Sequence, residues 1–201
     1  MCNIKGIKIV YPSNGADMKG LMKAAFHDPN PVVILEHKGL YWSKVKGTET
    51  AKSILPSKDY ILPLGVACMV RESEDPPKNN HVLVVTYGMG VHWALNADDD
   101  LIPQTGILDL RTLYPLDEKL IFAKCREYGK IIVVTEEPVH CTFAQSLAAR
   151  IQENCWEYLD APVMTLGAEN LPAIPLNEVL ERTMLPNAAK LSVALRKLLA
   201  Y

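Results

Sequence analysis

K-A-A-F-H-D-P-N-P-V-V-I-L-E-H-K, residues Lys23–Lys38, joins a helix end, an oxygen-rich turn and a buried strand with almost no chain between them. Upstream, Met18, Leu21, Met22, Ala25 and Phe26 recur at i, i+3, i+4, i+7, i+8, an apolar stripe for one buried helix face. Ser13 or Asn14 caps the start, and Asp17 falls in the first turn, where the helix dipole favours an anion. Pro29 has no N–H and pushes Asp28 out of the helical region, so the helix ends near His27. The last carbonyls of a helix lack internal partners and carry partial negative charge. Carbonyls of Ala25, Phe26 and Asp28, with the side-chain oxygen of Asn30, make a donor set suited to a hard cation. An ordinary helix stop before a strand accounts for the same residues.

The helix-then-strand unit repeats along the chain. Apolar runs of strand length lie at Ile7–Val10, Pro31–Leu35, Leu64–Val70, Val82–Thr86, Gly106–Leu110, Lys130–Thr135 and Ala161–Thr165. Helical patterns lie at Ala16–His27, Val91–Ala97, Asp117–Tyr128, Thr142–Glu153, Leu176–Arg182 and Asn187–Leu199. The strands are continuously apolar rather than alternating, which implies burial on both faces. The expected class is α/β, a mostly parallel doubly wound sheet covered by helices. Residues 43–60 are polar and aperiodic and read as a linker. Before it, residues 1–42 hold two strands and a helix, too little for a sheet of their own. After it, residues 61–201 hold five strands with their helices, enough for a small domain, with Arg71–Asn80 as an exposed loop.

At 201 residues, the chain has room for one sizeable core and part of a second. Hydrophobic content of 49%, charged content of 22% and a net charge of −2 describe an ordinary globular protein. They give no electrostatic footprint for nucleic acid or an anionic membrane. No apolar run approaches the roughly 20 residues that cross a bilayer, and the first residues are no signal peptide. Five cysteines, an odd count without a C-x-x-C pair, suit a reducing cytoplasm.

Several groups carry weaker signals. Glu136-Glu137 follow a strand at its carboxyl end, where α/β sheets place ligands, although adjacent side chains often point apart. Thr86-Tyr-Gly-Met-Gly90 is a strand, a glycine turn and a helix start, but lacks the third glycine and acidic partner of a dinucleotide fingerprint. The five histidines show no metal-ligand spacing, and His92 is expected to pack or cap. His140-Cys141 are neighbours in sequence, a poor geometry for a nucleophile and its base. Asp98-Asp99-Asp100 reads as a solvated, mobile turn. Ser146 has no nucleophile elbow, which argues against a hydrolase.

Residues Gly6–Tyr41, from G-I-K-I-V-Y-P-S-N through D-P-N-P-V-V-I-L-E-H-K-G-L-Y, resemble the end of a pyrimidine-binding domain. The family is that of the thiamine-diphosphate-dependent first component of 2-oxo acid dehydrogenases, beta subunit or beta portion. Pro63-Leu64-Gly65, Thr86-Tyr87-Gly88, D-L-R-T-L-Y-P-L-D at Asp109–Asp117 and Tyr158–Pro162 continue the resemblance in family order, through a transketolase C-terminal-like domain. The ending G-A-E-N-L-P-A-I-P-L-N-E resembles versions with alpha and beta portions fused. Three departures stand out: Trp42 in place of a frequent arginine, Val139–Thr142 in place of a glycine-rich approach to a helix, and a short helix after Gly90.

The resemblance implies oxidative decarboxylation of a 2-oxo acid on thiamine diphosphate and Mg²⁺, then acyl transfer to a lipoyl group. Branched-chain 2-oxo acids such as 3-methyl-2-oxobutanoate are expected ahead of pyruvate. The cofactor-binding motif and the activating glutamate belong to parts outside this sequence. The chain is therefore expected to be a C-terminal fragment with no catalytic or cofactor-binding residue of its own, inactive alone. Its implied partners are an alpha subunit or portion, a second beta copy and the subunit-binding domain of a dihydrolipoyl acyltransferase. The family's structural potassium ion would fall on Ala25, Phe26, Asp28 and Asn30.

Overall fold

In the computed structural model, which describes residues 2–74, 80–172 and 174–201, two sheets share one chain. β1 (Lys8–Val10), α1 (Gly15–His27) and β2 (Val32–Ile34) form the expected β-α-β piece, the strands parallel with Ile9 opposite Val33. Asn14 caps α1, its Oδ1 accepting the Asp17 N–H at 2.9 Å. The helix stops where Pro29 requires, and the Asp28 N–H closes back on the Ala25 carbonyl at 3.2 Å.

The larger sheet contains β3 (Cys68–Arg71), β4 (Val82–Thr86), β5 (Thr105–Asp109), β7 (Lys130–Pro138) and β8 (Met164–Ala168). Its order is β3-β5-β4-β7-β8, parallel except for antiparallel β3 at one edge. Alternate residues of one strand feed two cores, because side chains leave opposite faces of a pleated strand. Leu83 and Val85 of β4 meet Ile121 and Cys125 of α3 (Glu118–Tyr128) and Leu147 and Ile151 of α4 (Phe143–Cys155). Val82 and Val84 instead meet Ala94 of α2 (Met89–Leu95) and Leu191, Leu195 and Leu198 of α6 (Ala188–Leu199). Helices on both faces of a mainly parallel sheet make the fold doubly wound, as the sequence predicts. A seven-residue helix, α5 (Glu178–Met184), precedes α6.

One strand was not anticipated. Residues Thr112–Tyr114 form β6, which pairs antiparallel with β1 (Ile9 opposite Tyr114) and completes the small sheet in the order β2-β1-β6. Three residues inside a Pro-ended motif carry no periodicity, so only the tertiary partner makes them a strand. The small sheet is therefore built from both ends of the sequence division at residues 43–60. That segment carries no strand. Its short 3-10 turn at Glu49–Ala51 is fastened on both sides, with Lys19 donating to the Pro56 carbonyl and Asn96 to the Gly47 carbonyl at 2.7 Å each. Of the expected loop at Arg71–Asn80, residues 75–79 lie outside the described residues.

Candidate functional site

The helix end comes first, since the sequence singles it out. Asp28 accepts Lys8 Nζ at Oδ2, while its Oδ1 accepts the Asn30 backbone N–H at 3.0 Å and the Asn30 side-chain amide at 3.1 Å. These bonds hold the Asp28 carboxyl below the ordinary carboxylate range, the Lys8 bond first among them. The Asp28 side chain is thus spent on a lysine. The expected donors are the carbonyls of Ala25, Phe26 and Asp28 and the Asn30 side-chain oxygen, and the Phe26 side chain points outward, 86% exposed. The four residues are gathered on one turn.

A second cluster joins the two sheets and was not recognised from sequence. Asp109, at the end of β5, is buried; its Oδ2 accepts the Ser13 hydroxyl at 2.5 Å and its Oδ1 the Arg111 N–H at 2.9 Å. Arg111 adopts a left-handed φ of 56°, which aims its carbonyl at the Tyr11 N–H (2.8 Å). Its Nε reaches buried Asp17 at 2.8 Å. Asp17, read from sequence as a helix-dipole residue, is therefore also half of a buried ion pair. Burial raises the Asp109 carboxyl to about 6, against the pull of Ser13 and the Arg111 N–H. His92 packs, one of the two roles expected of it: it is buried, its Nε2 donates to the Ser13 carbonyl at 2.8 Å, and burial lowers its basicity.

The third place is a cavity of about 1040 Å³ outside the carboxyl ends of β4, β7 and β8. β4 is followed in sequence by β5 on one side and later by β7 on the other, so their junction is the topological switch point where such sheets bind ligands. Across it the Tyr87 and Thr135 hydroxyls meet at 2.6 Å. Glu136 and Glu137 are in β7 itself, which runs on to Pro138 rather than stopping at Thr135. They take different partners, although both line this cavity. Glu136 accepts His37 Nε2 at 3.1 Å and the Tyr11 hydroxyl, and His37 is oriented by accepting the Gly39 N–H at Nδ1. Glu137 accepts the Phe143 N–H at 3.2 Å at the start of α4, and burial raises its carboxyl. His37 and Tyr11 sit on residues the sequence reading used only for resemblance.

The remaining candidates have structural work. A Cβ on Gly90 would lie 2.0 Å from Thr86 Oγ1, so this glycine lets α2 close on β4 rather than open an anion site. Asp98 and Asp100 are solvent-exposed as expected, and both pair with Arg196 of α6, at 2.7 and 2.5 Å. Cys141 is exposed with φ 57°, and Thr142 precedes α4 without a side-chain cap bond. Among the described residues, no group of three or more His, Cys, Asp or Glu side chains gathers to hold a metal.

The fold matches a solved structure described as a split gene transketolase, inactive beta4 tetramer, with a TM-score of 0.73. That match covers 100% of this chain and 60% of the other, at 20% identity. The 2-oxoisovalerate dehydrogenase subunit beta of Bacillus subtilis is 37% identical over 99% of this chain. The pyruvate dehydrogenase E1 component subunit beta of Rhizobium meliloti is 32% identical over 96%. An acetoin:2,6-dichlorophenolindophenol oxidoreductase subunit beta of Cupriavidus necator is 34% identical over 97%. The chain spans 58%, 40% and 54% of these three relatives' lengths. The family model described as transketolase, C-terminal domain, matches residues 73–191. Over nearly its whole length the chain is similar to these beta subunits, and with more than half of its residues inside the family match it belongs to the transketolase C-terminal domain family.

Proposed function

We propose that this chain is the C-terminal part of the beta subunit, or beta portion, of a 2-oxo acid dehydrogenase that acts on branched-chain 2-oxo acids. The observation that carries the reading is the alignment with the Bacillus subtilis 2-oxoisovalerate dehydrogenase subunit beta, along 99% of this chain but 58% of that protein. In the whole enzyme, thiamine diphosphate and Mg²⁺ supply the decarboxylation, and the acyl group passes to a lipoyl group on an acyltransferase. In this reading both cofactors are held by parts of the enzyme outside this chain, so no chemical step is assigned to its residues. The contribution of this chain is assembly: contact with the alpha portion and a second beta copy, and docking of the acyltransferase's subunit-binding domain. Large apolar side chains left outward support that role, among them Trp42 at 79% and Ile54 at 94% exposed. A cytoplasmic location fits its five free thiols.

At the helix end, the carbonyls of Ala25, Phe26 and Asp28 with Asn30 hold a structural K⁺. The donors are the backbone oxygens and the Asn30 side-chain oxygen, since Lys8 already pairs with the Asp28 carboxylate. A second substrate reading, pyruvate, is favoured by the 32% identity to the Rhizobium protein.

The test is to assay the purified chain with thiamine diphosphate, Mg²⁺ and either 3-methyl-2-oxobutanoate or pyruvate. It is then repeated after mixing with alpha portion and the N-terminal beta portion. No turnover alone, and restored turnover favouring the branched acid on mixing, is expected. Turnover by the chain alone would sink the fragment reading, and a preference for pyruvate would sink the substrate.

A further inference from the structure

The switch-point cavity has a chemical character that the assembly role does not require. Three aromatic rings run in contact along its wall: Tyr11 to Tyr87 at 5.3 Å between centroids, and Tyr87 to Phe143 at 5.7 Å, edge to face. Glu136 and Glu137 are its charged lining residues, and among the described residues no Lys, Arg or His lines it. An anion entering this space would meet two carboxylates, with His37 behind Glu136 at 3.1 Å. A neutral apolar ligand would desolvate both carboxylates and leave their remaining acceptor positions unfilled.

We propose that this cavity binds an organic cation, an ammonium or guanidinium group on an apolar stem. The ring faces attract a cation through their quadrupoles. The apolar wall takes the stem, and the carboxylates complete the head-group contacts with charge-assisted hydrogen bonds. Both carboxylates are prepared for that role by neighbours that use only part of their capacity, since an ionised carboxylate accepts about four hydrogen bonds. Glu136 is oriented by His37 Nε2 and the Tyr11 hydroxyl. Glu137 is fixed by the first N–H groups of α4, so it cannot swing away from the cavity when its partner arrives. The cation is carried either by a small amine or by a lysine or arginine side chain of another chain. The chemistry recognised is the same.

The inference does not depend on which 2-oxo acid the parent enzyme uses. The whole chain is titrated by calorimetry with n-butylammonium, butylguanidinium, butyramide and butyrate, and then with N-acetyl-lysinamide. The two cations are expected to bind, the neutral amide at least tenfold more weakly, and butyrate not at all. Glu136→Gln and Glu137→Gln should each weaken the cations at least tenfold while leaving any butyramide binding unchanged. Circular dichroism melting confirms that each variant is folded, and either one alone suffices for the comparison. Tighter binding of N-acetyl-lysinamide than of butylammonium assigns the cation to a protein side chain, and the reverse assigns it to a small amine. Equal binding of butylammonium and butyramide, no binding of either cation, or unaltered cation affinity in a folded variant would overturn the proposal.

Discussion

Asp109 shows how one buried carboxyl makes stability depend on pH. Its folded value of about 6 lies above the ordinary 3.8, so the folded chain holds a proton that the unfolded chain has released. This group's favourable contribution is complete below 3.8 and is lost as pH rises through about 6. The shift corresponds to roughly 3 kcal/mol. In Asp109→Asn that dependence disappears, although the Ser13 and Arg111 bonds are weakened. Urea unfolding at pH 4 and pH 7 should therefore show the variant gaining on the wild type by about 2 kcal/mol between the two, since the unfolded carboxyl is already partly ionised at pH 4. A difference that stays constant with pH would mean Asp109 does not titrate in that range. The sequence did not display this residue: it lay inside D-L-R-T, a motif used for resemblance, and its partner Ser13 is 96 residues away. Asp17 was visible but misassigned in part, because a local helix-dipole argument cannot see Arg111.

At the scale of elements, legibility followed burial. β4, apolar at all five positions and buried at all five, was read with the boundaries observed. α1 was read to within a residue because Asn14 and Pro29 punctuate it chemically. β6 escaped because a three-residue strand has no period to read, and β7 was cut short because Glu136 and Glu137 look like a strand's end. The end of α1 carries the potassium prediction. If K⁺ binds the folded helix end alone, melting at equal ionic strength should rise in KCl over choline chloride. At a hundredfold excess over the dissociation constant the gain is about 2.7 kcal/mol. Asn30→Ala should abolish most of that difference while barely altering the melt in choline chloride. An identical K⁺ effect in the variant would remove Asn30 from the ligand set.

For the molecule as a whole, Arg111 is the joint. It bonds Asp17 of α1 through its side chain, Tyr11 through its carbonyl and Asp109 through its N–H. Replacing it with methionine leaves Asp17 buried without its cation, a loss of about 3–5 kcal/mol. The damage should be local to the small sheet. Amide exchange at Ile9 and Val10 is expected to accelerate while Val84 and Ile132 stay protected by the two cores. Uniform acceleration would show that the two sheets open together and that Arg111 is not their joint.

The pairing of β1 with β6 also has a consequence in time. Ile9 finds Tyr114 across about a hundred residues, and β6 directly follows β5 of the larger sheet. During synthesis, β1, α1 and β2 are made well before β6 and lack their third strand until it appears. Loop closure over that span is entropically costly. The free edge of β1 is therefore covered only once β6, made directly after β5 of the larger sheet, has been synthesised.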